Sequence, residues 1–281
     1  MNQSPPAVPP EFSHYRDVRY LATGGQKQVF SATCDTHGSI VLKLFQAGTD
    51  KARFEREVSA VQQLGSPNIP AILEWGMLGK DGQQGPYVIE PFVPGGSIQQ
   101  HIEAGSLQDH NIIQLAHDVL SVLTLTEQKG IVHRDIKPAN LLLHADTNAI
   151  WVLDFGIVRH LDRTALTVGP MGPCTPGFAP PEQFNALVSD IDVRSDLFAL
   201  GVTLYTCVER RNPYLDGATS HTEVFQRMQS TQLPRLSREP DGLTGFTDLV
   251  AALTQLRRTN RPRTAAAALE WLNDLLAQRA Q

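Results

Sequence analysis

Cysteine is scarce in this chain: Cys34, Cys174 and Cys207 are the only three among 281 residues. They stand far apart and form no CxxC pair, which argues against a zinc knuckle or a disulfide framework and fits a reducing compartment. Neither sign of charge dominates. The net charge is −5, so no basic excess marks a binder of nucleic acid or of a membrane surface. No run approaches the roughly 20 apolar residues that span a bilayer. The opening MNQSPPAVPP has neither a basic cluster nor an apolar stretch, which excludes a secretory signal. Internal repeats are also absent. What remains is ordinary globular composition, 41% hydrophobic and 19% charged, in a length that suits one large domain or two small lobes. The expectation is a cytoplasmic protein with no nucleic-acid or membrane partner.

Residues 1–14 read as a disordered proline-rich tail, with Pro6 and Pro9 as a PxxP pair. Residues 15–94 read as a small β-rich lobe. VRYLA, QVFSAT and SIVLKLF are short, rich in β-branched and aromatic residues, and separated by turn signals. DKARFEREVSAVQQL, residues 50–64, places Phe54, Val58, Val61 and Leu64 on one helical face. AILEWG and PYVIEPF are further strands, and VPGGS reads as a hinge. Residues 95–281 read as a larger, mainly helical lobe. LQDHNIIQLAHDVLSVLTLTEQKG is a long apolar helix that Gly130 ends. LLLH and AIWVLD are short strands, and helical segments dominate after residue 190. The predicted class is α+β in two lobes, with the cleft between them as the expected ligand site.

Chemistry concentrates in IVHRDIKPANLLL, residues 131–143, and in LDFG, residues 153–156. Asp135 and Asn140 stand five apart in a loop between a long helix and a strand, so a carboxylate and an amide can address one substrate. Asp154 follows an apolar strand, and Gly156 permits a sharp turn after it. Their oxygens are hard ligands that suit Mg²⁺ with bound phosphate. Lys137 sets a point charge beside Asp135, where a transferring phosphoryl group needs one. Singly, each of these residues reads as a surface charge or a fold-stabilising ion pair. Together, in this order, they carry a catalytic reading.

On these motifs the chain resembles the protein kinase family, and most of all its bacterial serine/threonine members. HRDIKPAN matches the catalytic loop and DFG the metal-binding motif, and the resemblance spans residues 15–277. It implies a two-lobed kinase fold that uses ATP with Mg²⁺, or with Mn²⁺, on a protein substrate. Lys43 then matches the strand lysine on the α- and β-phosphates, and Glu57 the helix glutamate that holds that lysine. Asp135 matches the base that accepts the substrate hydroxyl proton. Asn140 and Asp154 match the metal ligands, and Lys137 the lysine that meets the γ-phosphate. Ala22, Thr23, Gly24 and Gly25 fall in the phosphate loop. Val29, Val41 and Leu142 match the apolar residues around adenine. The carbonyl of Pro91 and the N–H of Val93 match the groups that recognise its edge. His133 is expected to pack behind the site, and Arg134 is placed to capture a phosphate on the activation segment. That segment runs from Asp154 to Glu182. Its Thr164 and Thr167 are candidates for autophosphorylation, and its Thr175 should touch Asp135. Glu182 is expected to pair with Arg261, and Asp196 to hold the catalytic-loop backbone.

Two departures from the family pattern stand out. Aligned on Val29, the three glycine positions of the phosphate loop are Ala22, Gly24 and Lys27. The Lys27 backbone can sit over the phosphates with its side chain outward, or the side chain can add a charge near them. Glu90 occupies the family's gatekeeper position, where an unpaired carboxylate resists burial, so it points to solvent or to a polar partner. These departures motivate an alternative, a kinase-fold scaffold that binds nucleotide or partners and scarcely turns over. With no sensor domain or anchor expected, an input signal has to come through a separate partner, a dimer contact or the activation segment.

Overall fold

A computed structural model describes residues 8–24, 27–48, 50–79, 85–155, 175–184 and 191–279. It divides into two compact units.

The first unit is built on a five-stranded antiparallel sheet in the order β1-β2-β3-β5-β4. Its strands are β1 (Arg16–Gly24), β2 (Lys27–Cys34), β3 (Gly38–Phe45), β4 (Glu74–Leu78) and β5 (Gly85–Pro91). Alternation sends the two sets of side chains to opposite faces. Phe30, Ala32, Ile40, Leu42, Leu44 and Ile89 form a core on one face. On the other face, α1 (Lys51–Gln62) lays Phe54 and Val58, one helical turn apart, against Phe45, Ile72 and Val88. Burying a side chain of this size stabilises the unit by about 1.5–3 kcal/mol.

The expected tail over residues 1–14 is corrected from residue 8 onward. Pro10–Phe12 form a 3₁₀ turn, and Phe12, 4% exposed, joins the first core and meets the Tyr87 ring edge-on at 5.0 Å between centroids. An aromatic side chain preceding the first strand has apolar surface to bury, and the sheet offers a place for it. Pro6 lies outside the described residues.

The second unit holds a three-stranded sheet, β6 (Gly95–Ser97), β7 (Leu141–His144) and β8 (Ile150–Val152), with helices α2 (Ile98–Glu103), α3 (Asp109–Gln128), α4 (Pro181–Phe184), α5 (Val193–Glu209), α6 (His221–Ser230), α7 (Phe246–Leu253) and α8 (Ala265–Arg279). The expected hinge VPGGS is in part a strand, because Gly95–Ser97 pair with Leu142–His144. Ser97 also opens α2. Its hydroxyl accepts the Gln100 N–H while the Gln100 side chain accepts the Ser97 N–H, a reciprocal cap. Gly130, at φ +67°, follows α3 as expected. α5 is buried nearly all round, as its apolar sequence requires. α3 packs on α5, α8 and β8, and its Asp118 accepts the Ile150 N–H at 2.8 Å. Residues 66–69 belong to this second unit. Asn68 brackets β8, donating from Nδ2 to the Ile150 carbonyl and accepting the Val152 N–H, both at 2.8 Å. Among the described residues no helix is long and apolar enough to cross a membrane.

Candidate active site

The loop between α3 and β7 is fixed from below by α5. Asp196 accepts the backbone N–H groups of His133 and Arg134, each at 2.7 Å. Asp196 is wholly buried, and burial pushes its carboxyl up to about 7 even though both hydrogen bonds favour the ionised form. Arg134 sits at φ +65°, a left-handed conformation that costs a non-glycine residue on the order of 1–3 kcal/mol. The Asp196 bond to its N–H and the Gln183 bond to its carbonyl both brace it there.

His133 does more than pack. Its Nδ1 accepts the Asp135 N–H at 3.2 Å and its Nε2 lies 3.0 Å from the Leu153 carbonyl, which assigns the neutral tautomer with the proton on Nε2. The same ring meets Phe155 at 4.6 Å between centroids. One imidazole therefore ties the loop carrying Asp135 to the segment carrying Asp154. A backbone bond from the Leu153 N–H to the Asn140 carbonyl, 2.9 Å, makes a second tie.

Asp135 is held by three side chains. Thr175 donates to its Oδ1 at 2.6 Å, Asn140 Nδ2 donates to its Oδ2 at 2.8 Å, and Lys137 Nζ lies 3.1 Å from the same Oδ2. Lys137 also donates to the Thr175 hydroxyl at 3.1 Å, which closes a ring of contacts. Asn140 spends its amide N–H groups on Asp135, on the backbone carbonyl as well as Oδ2, so its Oδ1 is the atom that can face a cation. With the Asp154 carboxylate this makes a donor set of two hard oxygen sources, which fits Mg²⁺, an ion that completes its shell with water and phosphate. The sharp turn expected at Gly156 begins earlier, at Asp154 itself, which adopts φ +61°. Gly156, Thr164, Thr167 and Cys174 lie outside the described residues.

The segment after Thr175 is tied down at several points. Glu182 and Arg261 form the expected pair with two parallel bonds, 2.6 and 3.0 Å. The other N–H groups of Arg261 donate to the carbonyls of Arg194, Gln255 and Leu256, which satisfies a buried guanidinium completely. Gly177 donates to Met228 Sδ at 3.0 Å and accepts from Asn212 Nδ2 at 2.9 Å. At φ +89°, with a Cβ pressed against the Leu215 side chain, any residue other than glycine is strained here. Gln183 donates to the Arg134 carbonyl at 3.2 Å. Sequence reading missed Asn212, Met228 and Gln183, which stand far from the residues they hold and carry no motif.

In the first unit, Lys43 and Glu90 lie on one face of the sheet, and Val29 and Val41 share it. Lys43 Nζ is 2.6 Å from Glu90 Oε2 and both residues are buried, at 6% and 7% exposure. Of the two destinations expected for Glu90, solvent is therefore excluded and the polar partner is Lys43. Glu57 stands on α1, which covers this same face through Phe54 and Val58. Pro91 ends β5, and Val93 is buried just beyond it. Ala22, Thr23 and Gly24 pair with Val29, Gln28 and Lys27 at the end of the β1–β2 hairpin, whose tip, Gly25 and Gln26, lies outside the described residues. Leu142 belongs to the second unit, on β7.

The protein kinase domain family matches residues 15–272. The chain is 29% identical over 92% of its length to the serine/threonine-protein kinase PknB of Mycobacterium leprae. It is 30% identical over 93% to the probable serine/threonine-protein kinase PknB of Bifidobacterium longum, and 31% identical over 92% to the probable serine/threonine-protein kinase PkwA of Thermomonospora curvata. It spans only 42%, 39% and 34% of those three relatives.

Proposed function

The chain belongs to the protein kinase family, and from that premise we propose that it transfers the γ-phosphate of ATP to serine or threonine hydroxyls of proteins. The observation that carries this reading is the closed ring around Asp135. Thr175 and Asn140 each fix one of its oxygens, and Lys137 stands 3.1 Å from the second. A carboxylate so oriented can accept the proton of an incoming hydroxyl as the oxygen attacks phosphorus. Lys137 sets its positive charge beside the base, where negative charge gathers on the transferring group. Lys43 meets the α- and β-phosphates, and Glu57 contributes to its setting. Val29 and Val41 of the first unit, and Leu142 of the second, are the residues proposed for adenine, with the Pro91 carbonyl and the Val93 N–H for its edge. Ala22, Thr23, Gly24 and Gly25 lie over the phosphates.

Asn140 Oδ1 and Asp154 would hold Mg²⁺. The ion supplies neutralisation of the phosphate charge. Catalysis of this kind is mostly positioning and electrostatics, so a phosphate loop with only Gly24 at a family glycine position weakens the activity without abolishing it. Thr164 and Thr167 are the proposed sites of autophosphorylation. The proposed setting is the cytoplasm, where the acceptor and any regulatory partner or dimer contact are protein.

One observation favours the scaffold alternative, the contact of Glu90 with the lysine assigned to phosphate. Transfer from ATP labelled at the γ-phosphate, with Mg²⁺ and separately with Mn²⁺, decides between the two. The expected result is label on the chain or on a generic basic protein with the wild type, and none with Asp135→Asn or Asp154→Asn. No transfer from a wild type that still binds ATP would overturn the enzyme reading in favour of the scaffold.

A further inference from the structure

Glu90 is a buried charge with no task in the reaction just described. It sits on β5 with Oε2 2.6 Å from Lys43 Nζ, the two side chains being 10% and 8% exposed. The register explains the contact. Lys43 lies opposite Val88, and Glu90, two residues farther along β5, lies opposite Val41. The two side chains are thus diagonal neighbours on one face of paired strands, within reach of each other when one is a lysine. Their neighbours on that face, Val29, Val41 and Val88, are apolar and do nothing to screen the attraction. Strand register brings the two charges together, and both side chains are buried, so moving Glu90 away from Lys43 carries a desolvation cost.

We propose that Glu90 is a positioning residue that holds Lys43 in competition with the phosphates of bound nucleotide, and so sets the affinity for ATP. The inference rests on the assignment of Lys43 to those phosphates. A triphosphate that engages Lys43 must share or displace a carboxylate already in contact with it, and that carboxylate repels the phosphate charge as well. Adenosine carries no phosphate. It uses the apolar walls, the Pro91 carbonyl and the Val93 N–H, and is indifferent to where the Lys43 ammonium points. Glu90 therefore discriminates between ligands by their charge, a property that a shape-filling residue at the same place lacks.

The test is calorimetric titration of the full chain with ATP and with adenosine, for the wild type, Glu90→Gln and Glu90→Met. Glutamine keeps the shape and a polar group, and methionine keeps only the bulk. Both variants are expected to bind ATP about fivefold to tenfold more tightly, as fits removal of one negative charge from a poorly solvated site, with adenosine changed by less than about twofold. An equal shift for the two ligands would make Glu90 a wall of the pocket and overturn the proposal. Weaker ATP binding by Glu90→Gln would overturn it too, by showing that Glu90 holds Lys43 where phosphate needs it. Failure of both variants to fold would assign the pair to stability alone and against the proposal. A wild type that binds neither ligand would overturn the nucleotide reading itself and this inference with it.

Discussion

Thr175 is a small residue with a large share in the geometry of the site. Its hydroxyl donates to Asp135 Oδ1 at 2.6 Å and accepts from Lys137 at 3.1 Å. Thr175→Val keeps the shape and deletes both contacts. Since Thr175 is outside the residues proposed for nucleotide, kcat should fall about tenfold to a hundredfold while KM for ATP holds, the mark of lost orientation rather than lost binding. Steady-state kinetics with varied ATP checks this, and a change confined to KM would contradict it. Asp196 gives a prediction in pH. An exposed aspartate titrates near 4, whereas burial pushes this one up to about 7. Between those values the folded chain binds more protons than the unfolded chain, so the Asp196 contribution to stability falls as pH rises through the window and is level above it. The urea midpoint of the wild type, relative to that of Asp196→Asn, should decline from pH 5 to pH 8. The ionised form is the stronger acceptor for the His133 and Arg134 N–H groups.

At the scale of elements, the contrast between local and distant signals explains what was legible. β2, β3 and α1 follow from β-branched and aromatic composition and from helical spacing, because the partners that bury their faces are neighbours in sequence; β1, exposed along its whole length, follows from composition and its pairing with β2. α2 was readable in principle from Ser97 and Gln100, whose spacing is that of a reciprocal cap. β6 was not readable. VPGGS has turn composition, and becomes a strand only because β7, more than forty residues later, offers it a partner. The pairing of α4 with the loop after α7 was legible through resemblance, and its energetics come from burial. Arg261→Met removes a guanidinium whose side chain is fully buried, and strands the Glu182 carboxylate against Ser195. The expected loss is about 3–5 kcal/mol, measured by chemical denaturation. A loss under 1 kcal/mol would mean that water replaces the arginine.

For the whole molecule, residues 66–69, expected within the first lobe, belong with the second unit. Asn68→Ala should cost about 1–3 kcal/mol by leaving the Ile150 carbonyl without its donor. Amide exchange at Val152 should accelerate at the same time, because β8 then loses part of what braces its edge. Unchanged exchange would show that the brace is backbone alone. A fragment cut at residue 95 lacks Asn68 altogether and loses both bonds, so the second unit is better produced with the first attached.

By itself the sequence determined the class of chemistry. HRDIKPAN and LDFG compress the proposed base, a lysine and the two side chains proposed to hold metal into two short windows, and local spacing survives whatever the rest of the chain does. It also determined which helices and strands carry a buried face. Only the tertiary structure decided where isolated charges go. Glu90 and Lys43 are 47 positions apart, Glu182 and Arg261 79, and Thr175 reaches Asp135 across 40. Resemblance anticipated the last two. It had no precedent to offer for Glu90, because a carboxylate at that position finds its partner through strand register, and register is a property of paired strands that neither strand encodes alone.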